Sequence, residues 1–579
     1  MRSGPNRLLR SAAVVAAAVA AMLAVQAQSG FYASQIAQAA TLALMAVSLD
    51  IVWGHGGIVS LGQTVPFGVA AYLTARLSIA APSLALPIIA LGVVSGALLG
   101  LLMGIVLLRR RRSAMTIALF TMMLSLLAEQ LAAKLLVIGG FNGLGGLPAL
   151  RLGPLELSSR HRDLLIVGVC AATVMAVWSL SRRPFGVLLV GVRDSEQRMA
   201  ASGYHTILIK VMALAVAGAV AGLGGSLYAM QTGFVFPGIF GFGFIADTLL
   251  WTLIGGFGSL AGPVGATVGL SLLEEYLADA AIDYWLLLTG ISFLVLVMFV
   301  EGGIASQVRR WLRMAPRTPN PVELVPAPAD ARAPARLRTE SLSCSFGAFS
   351  AVNDINLEVA EPGVYCLIGP NGAGKTTLLD ILCGFQQSTR GLVEFDGNDV
   401  TRARPWTFTR LGVGRKFQNP HLMASLTVAE NVALASFAVA PRSDWMWNRA
   451  WRAQVPPAAL ETLAASGLDS RLSATAGELS HGEQQWLETV LALCTRPRML
   501  LLDEPTAGLT ASESSRAAEQ FRAIAQNQQI PLVVVEHDTT FIREASDHIT
   551  VLAGGRVVAQ GTVEEIEANP RVKELYFAT

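Results

Sequence analysis

Ile368-Gly369-Pro370-Asn371-Gly372-Ala373-Gly374-Lys375-Thr376 closes an apolar, strand-like run and opens the helical pattern Thr377 to Leu382. This is the complete G-x-x-x-x-G-K-[ST] loop in the strand, loop, helix setting that it requires. The loop from Gly369 through Pro370, Asn371, Gly372 and Ala373 to Gly374 lets backbone N–H groups close around phosphate oxygens, and the helix N-terminus at Thr376 and Thr377 adds positive potential. Lys375 reaches the β- and γ-phosphates of a nucleoside triphosphate, and Thr376 holds Mg²⁺. Downstream, Met499-Leu500-Leu501-Leu502-Asp503-Glu504 reads as a buried strand ending in two carboxylates. Asp503 is expected in the Mg²⁺ shell and Glu504 beside the attacking water. The two motifs equally suit a kinase, a GTPase or an ATPase.

The stretches between and after them discriminate. Gln418 and then Leu479-Ser480-His481-Gly482-Glu483 precede the acidic pair, and Ala507-Gly508-Leu509-Thr510 and His537 follow it. Together they resemble the ATP-binding cassettes, with the fullest likeness, over residues 336 to 577, to the ATPases of urea and short-chain amide importers and the next fullest to those of branched-chain amino acid importers. That resemblance implies ATP and Mg²⁺ as cofactors and an α/β P-loop fold. It implies that Phe346 stacks on adenine, that Gln418 joins the metal shell and couples the nucleotide to the membrane domain, and that His537 contacts the γ-phosphate beside the catalytic Glu504. The family signature is usually Leu-Ser-Gly-Gly-Gln, so His481 and Glu483 depart from it while Ser480 and Gly482 are retained.

Over the 579 residues, 53% are hydrophobic and 15% charged, far below the roughly 25% charged residues of an average soluble domain. Most long apolar runs precede residue 301, starting near residues 11, 35, 60, 84, 114, 163, 207, 244, 262 and 283, so the first half is expected to be an all-α membrane domain of about ten transmembrane helices. The stretch 244 to 279 reads as one long tilted helix or two short ones. Basic clusters at Arg2, Arg7 and Arg10, at Arg109 to Arg112, at Arg182 and Arg183, and at Arg309, Arg310 and Arg313 all fall in the cytoplasm if it crosses twice. The first run also has the features of a signal peptide, so its retention or cleavage stays open. Leu49-Asp50-Ile51-Val52-Trp53-Gly54-His55-Gly56-Gly57, Gly139-Gly140-Phe141-Asn142 and Gly255-Gly256-Phe257-Gly258-Ser259 resemble permeases of the branched-chain amino acid and urea uptake family. The net charge of +2 gives no reason to expect nucleic acid. Five cysteines without ligand spacing suggest reduced packing residues.

The expected layout is a permease domain over 1–313, a Pro/Ala-rich linker over 314–335 and a cassette over 336–579. Between two apolar runs, residues 181 to 206 carry Arg183, Arg193, Asp194, Glu196, Arg198 and His205. This polar segment is expected to dock beside Gln418 through a short helix over 190 to 204, with Arg193 and Arg198 as coupling residues. The resemblance implies that a lone cassette cannot complete a nucleotide site, since Leu479 to Glu483 act on the partner cassette's ATP. A second permease and a second ATP-binding subunit are therefore expected, as a heteromer or a homodimer, with a periplasmic solute-binding protein, in a bacterial inner membrane. The implied activity is ATP-driven uptake of a branched-chain amino acid, urea or short-chain amide. The alternatives are an ABC exporter or a membrane-bound signalling ATPase.

Overall fold

The computed structural model describes residues 29–280 and 321–577 apart from 110–112, 149–150, 153–154, 329–334, 440–450 and 509, with scattered positions between 20 and 25 and between 287 and 294. The expected spans starting near residues 11 and 283, the clusters at Arg2 and Arg309, and residues 314–320 of the linker lie outside the described residues. Two compact units result: Met1–Arg193 with Ile207–Thr318, and Asp194–Thr206 with Pro319–Thr579.

The eight remaining apolar runs are helices: α1 (Gly30–Leu49), α2 (Thr64–Ala80), α3 (Ala85–Leu108), α4 (Ala114–Lys134), α5 (Ser159–Ser181), then, after the short helices α6 (Pro184–Asp194) and α7 (Glu196–Ala201), α8 (Thr206–Thr232), α9 (Phe242–Gly255) and α10 (Ala261–Ala280). Apolar on every side, α1 is the centre of the bundle, with Leu44, Met45 and Val47 fully buried. On α4 the residues Met115, Leu119, Met123, Leu127 and Leu131 recur every fourth position and are exposed, forming an apolar stripe suited to lipid. Helices α3 and α8 meet through glycine. A Cβ on Gly96 would fall 2.2 Å from the Gly218 carbonyl oxygen, and one on Gly222 would fall 2.5 Å from that of Gly92. Side-chain-free faces let the two backbones touch, the small-residue packing that apolar solvent favours.

The stretch 244 to 279 is two helices, α9 and α10, packed together across a break at Gly256 to Leu260. With 14 residues, α9 is about 21 Å long, too short to cross the roughly 30 Å of hydrocarbon alone. A matching break follows α1, which runs into a π-helical turn at Asp50–His55. The two breaks carry the same spacing, Gly56-Gly57-x-x-Ser60-Leu61 and Gly255-Gly256-x-x-Ser259-Leu260, and they clasp each other. The fully buried Asp50 carboxylate accepts from the N–H groups of Gly258 at 2.5 Å and Leu260 at 3.2 Å. Trp53 packs on Phe257 with ring centres 4.8 Å apart. The clasp satisfies backbone N–H groups that a helix break would otherwise leave bare in hydrocarbon. Further out, β1 (Leu144–Gly145) pairs antiparallel with β2 (Phe234–Val235).

The second unit is an α/β cassette. A mostly parallel sheet in the order β9 (Val413–Lys416), β11 (Met499–Asp503), β12 (Pro531–Val535), β6 (Gly363–Ile368), β13 (His548–Ala553) and β14 (Arg556–Gly561) carries the nucleotide motifs at its strand ends. Strands β6, β11 and β12 are continuous apolar runs, as expected of strands covered on both faces. A second, antiparallel sheet contains β4 (Leu337–Phe346), β5 (Phe349–Val359), β7 (Arg390–Phe395) and β8 (Asn398–Asp399). Within the stretch expected to be linker, β3 (Val322–Pro326) pairs in parallel with β10 (Trp451–Val455). That portion is therefore bonded to the cassette instead of free. Its β-branched and apolar side chains pack on α12 (Val428–Val439) beside the buried Trp451. All five cysteines are buried and unbridged; burial pushes the Cys366 thiol up to about 12.

Candidate functional site

The phosphate loop leaves β6 at Gly369 and enters α11 (Lys375–Leu382). Gly369, Gly372 and Gly374 have φ values of 151°, 81° and 95°, a region that L side chains rarely adopt. Sterics add to this, since a Cβ on Gly374 would lie 2.1 Å from the Ala351 carbonyl oxygen, whereas one on Gly372 meets nothing within 4 Å. The Lys375 ammonium donates to the carbonyls of Gly369 at 2.7 Å and Pro370 at 3.1 Å. Burial holds it below the usual lysine range, against the opposing pull of Glu504 and Asp503. Phe346 pairs with Phe349 at the tip of the β4–β5 hairpin. It is 51% exposed, so it stands clear of the core as a free stacking surface.

Asp503 and Glu504 end β11 next to this loop. Asp503 is buried; its Oδ2 accepts from the Arg415 guanidinium at 3.1 Å, while its Oδ1 has no hydrogen-bond partner among the described residues. Burial raises the Asp503 carboxyl above its ordinary value, and Arg415 opposes the rise. Glu504 adopts φ of 43°, strained for a residue with a side chain. It accepts from the Gln418 amide at 2.8 Å and lies 3.8 Å from His537 Nδ1. Glu504, Gln418 and His537 are thus brought together, with His537 exposed to solvent.

Glu536 escaped the sequence reading. This buried acid accepts from Thr506 N–H at 2.8 Å and its hydroxyl at 2.5 Å, and from the N–H groups of His537 at 3.0 Å and Asp538 at 3.3 Å. It ties the turn after Glu504 to the turn holding His537. The available signal was an acid directly after the apolar run Leu532 to Val535.

Ser480 caps α13 (His481–Cys494), and the departure at Glu483 has a local explanation. Glu483 accepts from Ser480 N–H at 2.8 Å and its hydroxyl at 2.9 Å, completing a capping box. These bonds, and Arg471 at 3.1 Å, hold the Glu483 carboxyl below its usual range. Leu479 is buried, His481 is exposed, and a Cβ on Gly482 would meet nothing within 4 Å.

The polar segment between α5 and α8 is two helices instead of one over 190 to 204, because Ser195 turns the chain and caps α7 by accepting from Arg198 N–H at 3.2 Å. The two arginines consequently part company. Arg193 belongs to the membrane unit and donates to the Gly54 carbonyl at 2.8 Å. Arg198 belongs to the cassette unit and is fully buried. It donates to Glu488 at 2.5 Å, to the Arg415 carbonyl at 2.9 Å and to the His421 carbonyl at 3.3 Å. Nearby, Tyr204 donates to the Leu434 carbonyl at 2.8 Å and Asp194 accepts from Ser425 N–H at 2.8 Å.

Comparison with known proteins agrees with both halves. The family model for the branched-chain amino acid transport system permease component matches residues 31–297, and that for ABC transporters matches residues 352–507. The cassette is 36% identical over 248 residues to BraF, a high-affinity branched-chain amino acid transport ATP-binding protein of Pseudomonas aeruginosa, covering 42% of this chain and 97% of the relative. It is 33% identical to a probable branched-chain amino acid transport ATP-binding protein, LivG, of Archaeoglobus fulgidus, covering 42% and 95%. A solved ABC-transporter cassette in its ADP conformation shares 29% identity, covering 42% of this chain and 99% of that one with a TM-score of 0.37. With a permease match ahead of an ATPase whose relatives are covered almost end to end, the chain belongs to the ABC transporters of the branched-chain amino acid type, its permease and its ATP-hydrolysing cassette fused in one polypeptide.

Proposed function

We propose that this chain is the permease-ATPase subunit of an importer that carries a small polar or zwitterionic solute, a branched-chain amino acid, urea or a short-chain amide, across a bacterial inner membrane. The observation that carries this reading is the burial of Arg198, from the segment between two apolar helices, on Glu488 of the cassette. Such a side chain transmits nucleotide-dependent movement to the helices on either side. Support for the solute class comes from the relatives of the cassette, which are branched-chain amino acid transport ATP-binding proteins.

In the cassette, the loop N–H groups and Lys375 bind the phosphates, Phe346 stacks on the base, and Glu504, held by Gln418, orients the attacking water. His537 adds a donor near the γ-phosphate. The unpartnered Asp503 Oδ1 and the Thr376 hydroxyl fit a Mg²⁺ ion, with Gln418 completing its shell; when bound, that ion supplies charge neutralisation at the transferring phosphate. Ser480 and Gly482 face a second cassette's nucleotide. A second permease, a second ATP-binding subunit and a periplasmic solute-binding protein complete the assembly, with a heteromer favoured over a homodimer.

The test is uptake into vesicles containing the chain with its candidate partner subunits, supplied with purified binding protein and leucine, urea or acetamide. ATP-dependent accumulation of one of these is expected. Outward movement, or ATP turnover that no solute alters, would overturn the importer reading.

A further inference from the structure

Inside the cassette unit a row of buried charges runs from the segment between α6 and α8 to the carboxylate at the end of β11. Arg198 and Glu488 are both fully buried and ion-paired at 2.5 Å. The other terminal nitrogen of Arg198 donates to the backbone carbonyl of Arg415 at 2.9 Å. The side chain of that same Arg415, 2% exposed, turns the opposite way and binds Asp503 at 3.1 Å and Asp380 at 3.2 Å. Glu488 Oε1 also accepts from His421 N–H at 3.2 Å, and Phe417 lies under both guanidinium groups, 5.0 Å from that of Arg198 and 5.5 Å from that of Arg415. Lys416, also buried, is pushed down to about 8 by its burial.

We propose that Glu488 and Arg415 are positioning residues that connect docking of Arg198 to the aim of the Asp503 carboxylate. The inference rests on the Mg²⁺ and coupling roles proposed above. Glu488 is inside α13, the helix that begins with Ser480, and Arg415 is in β9, three residues before Gln418. The row therefore joins the ends of three motifs by hydrogen bonds, without passing through the phosphate loop. Its parts are poorly interchangeable. If Arg198 leaves, Glu488 remains a buried carboxylate whose second oxygen already lacks a partner, and the Arg415 carbonyl loses its donor, in a residue whose Nε and Nη1 are unsatisfied even with Arg198 docked. Buried charges in that condition move to find partners. The partners within reach of Arg415 are Asp380 and Asp503, and the free oxygen of Asp503 is the one suited to a cation. Docking of the segment and affinity for the magnesium–nucleotide complex must then be linked, and reciprocally so.

The full-length chain in nanodiscs would be titrated with a fluorescent ATP analogue, once with Mg²⁺ and once with EDTA. Arg198→Met and Glu488→Gln are expected to weaken binding in Mg²⁺ by about 5- to 20-fold, within the ordinary range of coupling between sites, while binding in EDTA changes less than about twofold. Arg198→Lys, which keeps the charge but not the fork, should fall between, and the double variant Arg198→Met/Glu488→Gln should be no worse than either single one. Unfolding is monitored by melting temperature in EDTA with nucleotide; the lysine variant keeps the comparison valid if the methionine variant does not fold. Equal weakening with and without Mg²⁺, or additive effects in the double variant, would overturn the connection while leaving the transporter reading intact. Wild-type binding that ignores Mg²⁺ would instead overturn Asp503 as a magnesium ligand, and this proposal with it.

Discussion

A buried carboxylate survives only where its hydrogen bonds outweigh its desolvation, and Glu536 satisfies that condition with four donors drawn from the turn after Glu504 and the turn holding His537. Glu536→Gln is expected to keep nucleotide affinity while lowering ATP turnover about 10- to 100-fold, the equivalent of about 1–3 kcal/mol for unsatisfied buried groups. Stopped-flow phosphate release would measure it, and full turnover would show that the two turns hold their positions unaided. Glu504→Gln should likewise bind ATP and hardly hydrolyse it, because the amide keeps the shape but loses the carboxylate that orients water; undiminished hydrolysis, with any partner cassette inactivated, would remove Glu504 from its role. The candidate phosphate-loop residues were legible as a set because such a loop dictates its own glycines, lysine and threonine within nine consecutive positions. Arg198, Arg415 and Glu488 were not legible as a set. Arg198 stands 217 and 290 residues from these two partners, and no local pattern announces a bond across such separations.

At the scale of elements, hydropathy was enough to find the helices but not their interruptions. The 244 to 279 stretch is apolar throughout, and what divides it is a set of glycines whose purpose appears only when Asp50, 208 residues away, is seen accepting from Gly258. Close helix packing gives a sharper test. Gly96→Val on α3 places side-chain atoms against the α8 backbone, which cannot retreat as a flexible side chain would, so the yield of folded chain in membranes should collapse. Gly265→Ala on α10, where a Cβ meets nothing within 4 Å, should be neutral. Equal yields from the two variants would refute the α3–α8 contact. The signature helix offers a second comparison. Glu483→Gln keeps a side chain able to complete the capping box, whereas Glu483→Ala removes it and should lower stability by about 1 kcal/mol. Thermal melts of the two variants would separate capping from any role in hydrolysis.

For the molecule as a whole, charge gives the expected orientation: the clusters at Arg109 to Arg112 and at Arg182 and Arg183 are expected on the cytoplasmic side, which leaves Arg151, Arg160 and Arg162 outside. Cysteines placed at Asn142 and Phe236, which flank the β1–β2 pairing, should react with a membrane-impermeant thiol reagent added from outside, and one placed at Ser113 should not. The five native thiols are buried and contribute little background. Labelling of the opposite polarity would invert the topology. The boundary between the halves was only partly readable, because proline content announced an extended chain without saying that Val322–Pro326 would find a neighbour in Trp451–Val455. That neighbour gives the fusion a mechanical character. Strands in a parallel pair share their hydrogen bonds along a common direction, so a pull along the axis of Val322–Pro326 would load its ladder with β10 in shear. A ladder loaded in that direction resists with all its bonds at once instead of giving way one bond at a time.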